Sequence, residues 1–172
     1  MARKTRGDTS HGDTYHVTSE INRLLMELKN PLIKALFIQV IAEAHKKYDF
    51  KLWNFCIMGN HIHFLITPDK DISLSVIMKW IKMVFAIRWN KLHKMTGHLW
   101  GDRFHARMIE NREDFLRVFR YINQNPVKAG LVNQVKEWVF GGLYHYLHHI
   151  LHIVTPFSDL LAKVFTADFC EG

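Results

Sequence analysis

Gly59-Asn60-His61-Ile62-His63-Phe64-Leu65-Ile66 is the stretch from which the fold of this chain is read. Gly59-Asn60 is a hairpin-type turn signal, and the residues after it alternate as a β-strand does. Side chains two apart on a strand point the same way, so Ile62, Phe64 and Ile66 share one face and His61 and His63 the other. The first face suits a core. The second sets two imidazoles side by side, about 6–7 Å apart at the backbone from the strand rise. Neutral histidine is a common metal ligand, and two adjacent rings suit a divalent ion. A solvent-facing pair on a half-buried strand is the competing reading of the same pattern.

Working outward, 51–58 alternates as the partner strand, with Trp53, Phe55 and Ile57 on one side. Before it, Asn30-Pro31 opens a helix, with Pro in the first turn where its missing N–H costs nothing. Leu32, Leu36, Ile38, Val40, Ile41 and Ala44 carry its apolar side to about Lys47. Residues 15–19, with Val and Thr, are a first strand. After the Pro68–Asp71 loop, Ser73 is an N-cap for a helix through Lys94, with Leu74, Ile77, Ile81, Val84, Phe85 and Ile87 inside. Thr96-Gly97 breaks that helix, and 99–109 is a further strand or ribbon rich in Arg and aromatics. Asn111 caps a helix over 112–124, with Glu113 and Asp114 in the first turn where acidic groups suit the dipole. Asn125-Pro126 is expected to stop it. Helical material is expected again at 144–152 and 158–165. The order predicts an α+β fold, a ferredoxin-like β-α-β-β-α-β antiparallel sheet with helices on one face. A tyrosine-bearing helix and a C-terminal helical extension would complete it.

Composition bounds the function. The 172 residues carry 23 Lys+Arg against 16 Asp+Glu, a net charge of +7, which favours a polyanionic partner, nucleic acid first. Cys56 and Cys170 lie far apart with no CxxC, so neither a disulfide framework nor a thiolate zinc site is expected. The polar, basic start is unlike a signal peptide, and no apolar run reaches the ~18 residues of a membrane span. A cytoplasmic, nucleoid-associated setting with no membrane partner is the expectation.

The 112–124 helix ends in Tyr121-Ile122-Asn123-Gln124-Asn125-Pro126, and Gln124 and Asn125 follow Tyr121 at i+3 and i+4, on one side of the last turn. By itself this is more often packing than chemistry. Taken with other stretches it resembles a family. Met58-Gly59-Asn60-His61-Ile62-His63 is similar to the His-hydrophobic-His (HUH) segment of the REP-associated tyrosine transposases, within the HUH single-tyrosine transposase superfamily. Tyr15-His16-Val17-Thr18-Ser19 is similar to their first strand. Leu99-Trp100-Gly101-Asp102-Arg103-Phe104 resembles their Trp-x-x-Arg-aromatic segment. Tyr121 to Val132, with Asn125-Pro126-Val127-Lys128-Ala129-Gly130-Leu131-Val132, resembles their tyrosine helix and its Asn-Pro-x-x-Ala-Gly-Leu-Val continuation. The four matches keep the family's order. Gly59 stands where the family often has Pro.

The resemblance implies a domain over 14–132 and an extension over 133–172. It implies a metal-dependent endonuclease and strand transferase for single-stranded, hairpin-bearing DNA, working as monomer or homodimer through a 5′-phosphotyrosine. Tyr121 would be the nucleophile. His61 and His63 would hold Mg²⁺ or Mn²⁺ with Asn125, or its neighbour Gln124, as third ligand. Imidazoles favour Mn²⁺ on affinity, since Mg²⁺ prefers oxygen. Arg103, Arg107 and Lys82 are candidates for phosphate contacts, and Trp100 and Phe104 for stacking on unpaired bases, against surface charge and core packing respectively. His145, His148, His149 and His152 have helical spacing that suits a metal, but a polar helix face is the better reading of them. The alternatives are a non-cleaving hairpin-binding module and an HUH replication initiator or relaxase. A binding module needs no nucleophile, and the short chain with its match over 121–132 favours the transposase.

Overall fold

Met58 to His61 closes a hairpin, with the Met58 N–H donating to the His61 carbonyl at 2.9 Å. The structure, a computed structural model, describes residues 12–157. Its elements are β1 (Tyr15–Glu20), α1 (Pro31–Lys47), β2 (Phe50–Ile57), β3 (His61–Pro68), α2 (Leu74–His93), β4 (His105–Met108), α3 (Arg112–Lys128) and α4 (Gly142–Leu147). The strands form one antiparallel sheet in the order β2-β3-β1-β4. This is the ferredoxin-like arrangement that the order of elements predicts. The expected helix over 158–165 lies outside the described residues.

The caps fall where the side chains call for them. Asn30 accepts from the Leu32 N–H, Ser73 from Val76 and Asn111 from Asp114. α1 and α2 cover one sheet face, where Val17, Leu52, Phe55, Ile57, Ile62, Phe64 and Ile66 meet Phe37, Ile41, Ile77, Ile81 and Phe85. The phase of both helices differs in detail from the sequence reading. Leu32 and Ile87 are exposed, whereas Phe37, Met78 and Trp89 are buried. Both helices have apolar residues nearly all round, so the pattern alone sets their rotation loosely.

β2 departs from simple alternation. Its register against β3 shifts between Leu52 and Asn54, a bulge that turns Trp53 away from Phe55 and Ile57. Trp53 packs with Phe115 on the opposite sheet face, so the expected grouping of Trp53 with Phe55 and Ile57 is corrected. That face is also covered. Cys56, Met58 and Leu65 pack against Val118, Phe119 and Ile122 of α3 in a second core.

α3 does not stop at Asn125-Pro126; it runs to Lys128 with Pro126 inside. In the last turn a proline removes only one intrahelical bond, to the Ile122 carbonyl. Pro126 is itself buried. The stop is made at Gly130, whose φ of +67° is open to glycine. Its N–H bonds the Val127 carbonyl and the Leu131 N–H the Pro126 carbonyl, each at 2.9 Å. Helix is also shorter than expected over 144–152: α4 ends at Leu147, and His149 has φ +55°. The chain then folds back along β2. Ile153 and Val154 enter the first core, and the Thr155 N–H donates to the Leu52 carbonyl at 2.8 Å. No helix among the described residues is long and apolar enough to cross a membrane.

α4 begins against the bulge. A Cβ on Gly142 would overlap the Asn54 Oδ1 and approach the Phe55 nitrogen to 3.0 Å, and the strand backbone has little room to yield. Gly142→Ala is therefore expected to cost about 1–3 kcal/mol, the usual range for overpacking. A lowered urea midpoint with unchanged slope checks it.

Candidate active site

The sheet face under α3 carries His16 from β1 and His61 and His63 from β3. Thr18 sits opposite His63, so His16 lies on the diagonal two residues along, within reach on the same face. The His16 Nε2 is 3.2 Å from the His63 Nδ1, and the two ring centroids are 5.4 Å apart. The His61 and His63 rings stand nearly perpendicular at 4.9 Å. His61 Nδ1 is 2.7 Å from the Asn60 Oδ1. An amide oxygen only accepts, so His61 donates from Nδ1 and keeps a lone pair on Nε2. His63 is 4% exposed, and its Nε2 is buried with no hydrogen-bond partner among the described residues.

α3 brings Tyr121 to this group. Its ring meets His63 edge-on at 5.7 Å and His16 at 5.8 Å, and it is 43% exposed, open to a ligand. The Lys128 ammonium lies 5.6 Å from the same ring. Tyrosine and histidines thus meet within one chain. Asn125 follows one turn on, its side-chain N–H donating to the Tyr121 carbonyl at 2.8 Å. Gln124 is exposed on the same last turn.

Two polar clamps fix α3 here, and neither is evident in the sequence. Asp114 accepts from Arg107 at 2.7 and 2.9 Å, from Arg117, and from the Glu110 backbone N–H at 3.2 Å. Arg107 is on β4, directly across from His16, so this ion pair ties the start of α3 to the sheet. Near the other end, the Asn54 amide donates to the Asn123 Oδ1 at 2.9 Å and to the Phe119 carbonyl at 3.3 Å. In the sequence Asp114 reads only as an acidic first-turn residue, and Asn54 only as a polar position in a strand. Sequence reasoning also misses His16 as a site residue; the signal for it is its place on the histidine face of the neighbouring strand.

The other candidates gather elsewhere. Lys82, Trp100, Arg103 and Phe104 line a groove of about 510 Å³ between α2 and the segment before β4, with Lys79 and Met83. Trp100 and Phe104 are each 8% exposed and belong to the core, so little of either ring borders the groove. Lys82 donates to the Asp102 carbonyl at 3.0 Å, and burial pushes its ammonium down to about 8. Arg107 is apart from this group, in its ion pair with Asp114. Of the tail histidines, His145 is buried and His148, His149 and His152 are exposed, so they do not form one helix face.

The site is electrostatically quiet where the imidazoles are. Burial pushes His63 down to about 3, with His61 and His16 adding to the shift. Burial, reinforced by Arg107 and opposed by Asp114, pushes His16 down to about 4. Burial also lowers His61, with Glu20 opposing. All three rings are therefore neutral near pH 7, the form that binds metals. The bonded Arg107 guanidinium, with Arg117, holds the Asp114 carboxyl far below the usual carboxylate range. A paired set of neutral imidazoles, one with an orphaned buried nitrogen, fits a divalent ion.

One tyrosine and three histidines thus meet on the second face of a ferredoxin-like sheet. The family model described as IS200-like transposase matches residues 11–125, and the chain belongs to that family. The resemblance to REP-associated tyrosine transposases holds in the relatives. A protein of Escherichia coli K12 with that name is 28% identical, over 58% of this chain and 58% of its own. A Haemophilus influenzae protein, provisionally given the same name, is 26% identical over 63% of this chain and 69% of its own. A solved REP-associated tyrosine transposase bound to a REP hairpin is 23% identical and superposes with a TM-score of 0.72, covering 92% of this chain and 96% of that one. This last likeness is one of fold.

The pKa directions fix an acid response. The unfolded imidazoles titrate near about 6.5. Between there and about 4, the unfolded chain binds protons that folded His16 and His63 refuse, so stability falls as pH falls. Asp114 extends the loss below the ordinary carboxylate value, because its stabilisation is present above that value and is lost as the folded carboxyl protonates. Urea midpoints that decline steadily from pH 7 to pH 4 are expected. A flat profile contradicts the burial of the neutral rings.

Proposed function

We propose that the chain is a divalent-metal-dependent endonuclease and strand transferase for single-stranded DNA, with Tyr121 as nucleophile. The observation that carries this is the Tyr121 ring set against His63 and His16 over a histidine pair, in a member of the IS200-like transposase family. His61 and His63 would hold Mg²⁺ or Mn²⁺ through their Nε2 atoms, with Asn125, or Gln124 beside it, completing the set from α3. Bound there, the ion supplies Lewis-acid polarisation of the scissile phosphate.

The chain's own part in the reaction derives from the site. The Tyr121 oxygen attacks phosphorus and forms a phosphotyrosine on the 5′ side, while the bond to the 3′ oxygen breaks. The phenol gives up its proton to solvent and the 3′ oxygen takes one, so no water is consumed. One ester replaces another, and the free 3′-OH can later reverse the step. The exposure of Tyr121 lets an extended strand reach it. Lys128 at its ring and the guanidinium of Arg107 on β4 supply positive charge along the approach. Arg103 and Lys82 would meet phosphates along the groove, with the Trp100 and Phe104 edges against an unpaired base.

A solved relative holds a REP hairpin, and we extend that class of partner, hairpin-bearing DNA, to this chain. Acting on such DNA places the protein at the nucleoid in the cytoplasm. A module that only binds hairpins would gain nothing from a tyrosine beside a metal-competent histidine pair. A replication initiator or relaxase would share the chemistry, and the match to the IS200-like transposase model, with the stretch over 121–132, favours the transposase.

Two outcomes test the reading with labelled oligonucleotides bearing a hairpin and a single-stranded flank. Tyr121→Phe should abolish cleavage and the SDS-resistant adduct, with stability within about 0.5 kcal/mol, as for other exposed positions. An adduct formed by this variant would remove Tyr121 from the role. His61→Ala, His63→Ala or EDTA should stop cleavage while hairpin binding falls much less. Full activity in EDTA would dismiss the metal.

A further inference from the structure

We propose that His16 is a positioning residue, whose Nε2 accepts the Nδ1–H of His63 and so keeps the His63 Nε2 free of a proton. The inference rests on His63 being a metal ligand and adds to it a residue that sets the ligand's state.

Two ring nitrogens 3.2 Å apart share one proton, and the direction of the bond decides what the rest of His63 can do. If His16 were the donor, neutral His63 would carry its own proton on Nε2. That nitrogen is buried without a hydrogen-bond partner among the described residues, so the result would be a buried N–H with no acceptor. It would also present no lone pair to an ion. With His63 as donor, the same nitrogen carries a bare lone pair, as does the Nε2 of the neighbouring His61, whose tautomer Asn60 fixes in the same sense. Ligating histidines are commonly held in this way by a partner on the other ring nitrogen.

His16 is well placed to be that partner. It lies on a central strand paired on both sides, opposite Leu65 in β3 and Arg107 in β4. Its ring lies side by side with that of His63, within 22° of coplanar, and meets the Tyr121 ring edge-on. One side chain thus bears on both the ligand and the nucleophile, with no reacting atom of its own.

The test uses the full chain with ¹⁵N-labelled histidine and no DNA. Long-range ¹H–¹⁵N spectra should show His63 as the Nδ1–H tautomer, and His16→Phe should shift it toward Nε2–H. Calorimetric titration with Mn²⁺ alone should show affinity about 10–100-fold weaker for His16→Phe, the usual cost of losing such a partner. His16→Gln, which keeps an acceptor oxygen, should recover most of it. A merely structural role would lower thermal stability and leave the tautomer alone. His63 already in the Nε2–H form in the wild type overturns the proposal, a result that does not depend on either variant folding. So do an unchanged tautomer and Mn²⁺ affinity in a folded His16→Phe. Failure of the wild type to take up Mn²⁺ sinks the metal reading instead, while the tautomer still decides the His16 contact.

Discussion

The seating of α3 on the second face of the sheet is the constraint on which the site depends. A four-stranded sheet with two helices on one side has one apolar face satisfied and one left over. Here Cys56, Met58 and Leu65 make part of that remaining face apolar, and Val118, Phe119 and Ile122 cover it. The polar part of the same face holds the histidines. Apolar packing alone lets a helix slide or turn by a fraction of a residue, enough to carry a tyrosine out of reach. The directional bonds of Asp114 to β4 and of Asn54 to Asn123 remove that freedom near both ends. The position of Tyr121 is therefore set by residues that never touch it.

The chemistry of the cleft is a consequence of this seating. Covering His63 and His16 strips water from their rings and holds them neutral, which an exposed pair at pH 6 would not be. Basic side chains stand around them without sharing the burial: Lys128 lies at the tyrosine, and Arg107 is neutralised in part by Asp114. Neutral imidazoles at the centre and positive charge at the edge suit a site for a polyanion and a cation together.

Much of this is legible in the sequence. The hairpin at Gly59-Asn60, the two-faced β3, the three caps and the order of elements all rest on local rules, and they hold. Tyr121 stands out by its motif rather than by any physical pattern, since a tyrosine near a helix end is usually amphipathic packing. The features that local patterns do not carry are non-local. The bulge at Trp53 is a property of the β2–β3 pairing, answered by α3 and α4, and period-two alternation passes over it. Pro126 remains helical because the last turn has few bonds to lose. His16 acquires its place in the site only when β1 pairs with β3, and Asp114 only when β4 arrives beside α3. The tail looks helical from its composition, but Ile153, Val154 and Thr155 are taken up by the sheet and its core instead.

That last feature bears on how such a chain could associate with others. β2 lies at one border of the sheet, and the chain itself engages part of its outer edge: the Ile57 N–H by the Phe140 carbonyl, and Leu52 by Thr155. The border that remains is β4, four residues long, next to His16 through β1. Among the described residues, the β4 border is therefore the less engaged of the two, and it flanks the imidazoles. Any strand that paired with β4 would lie one strand away from His16.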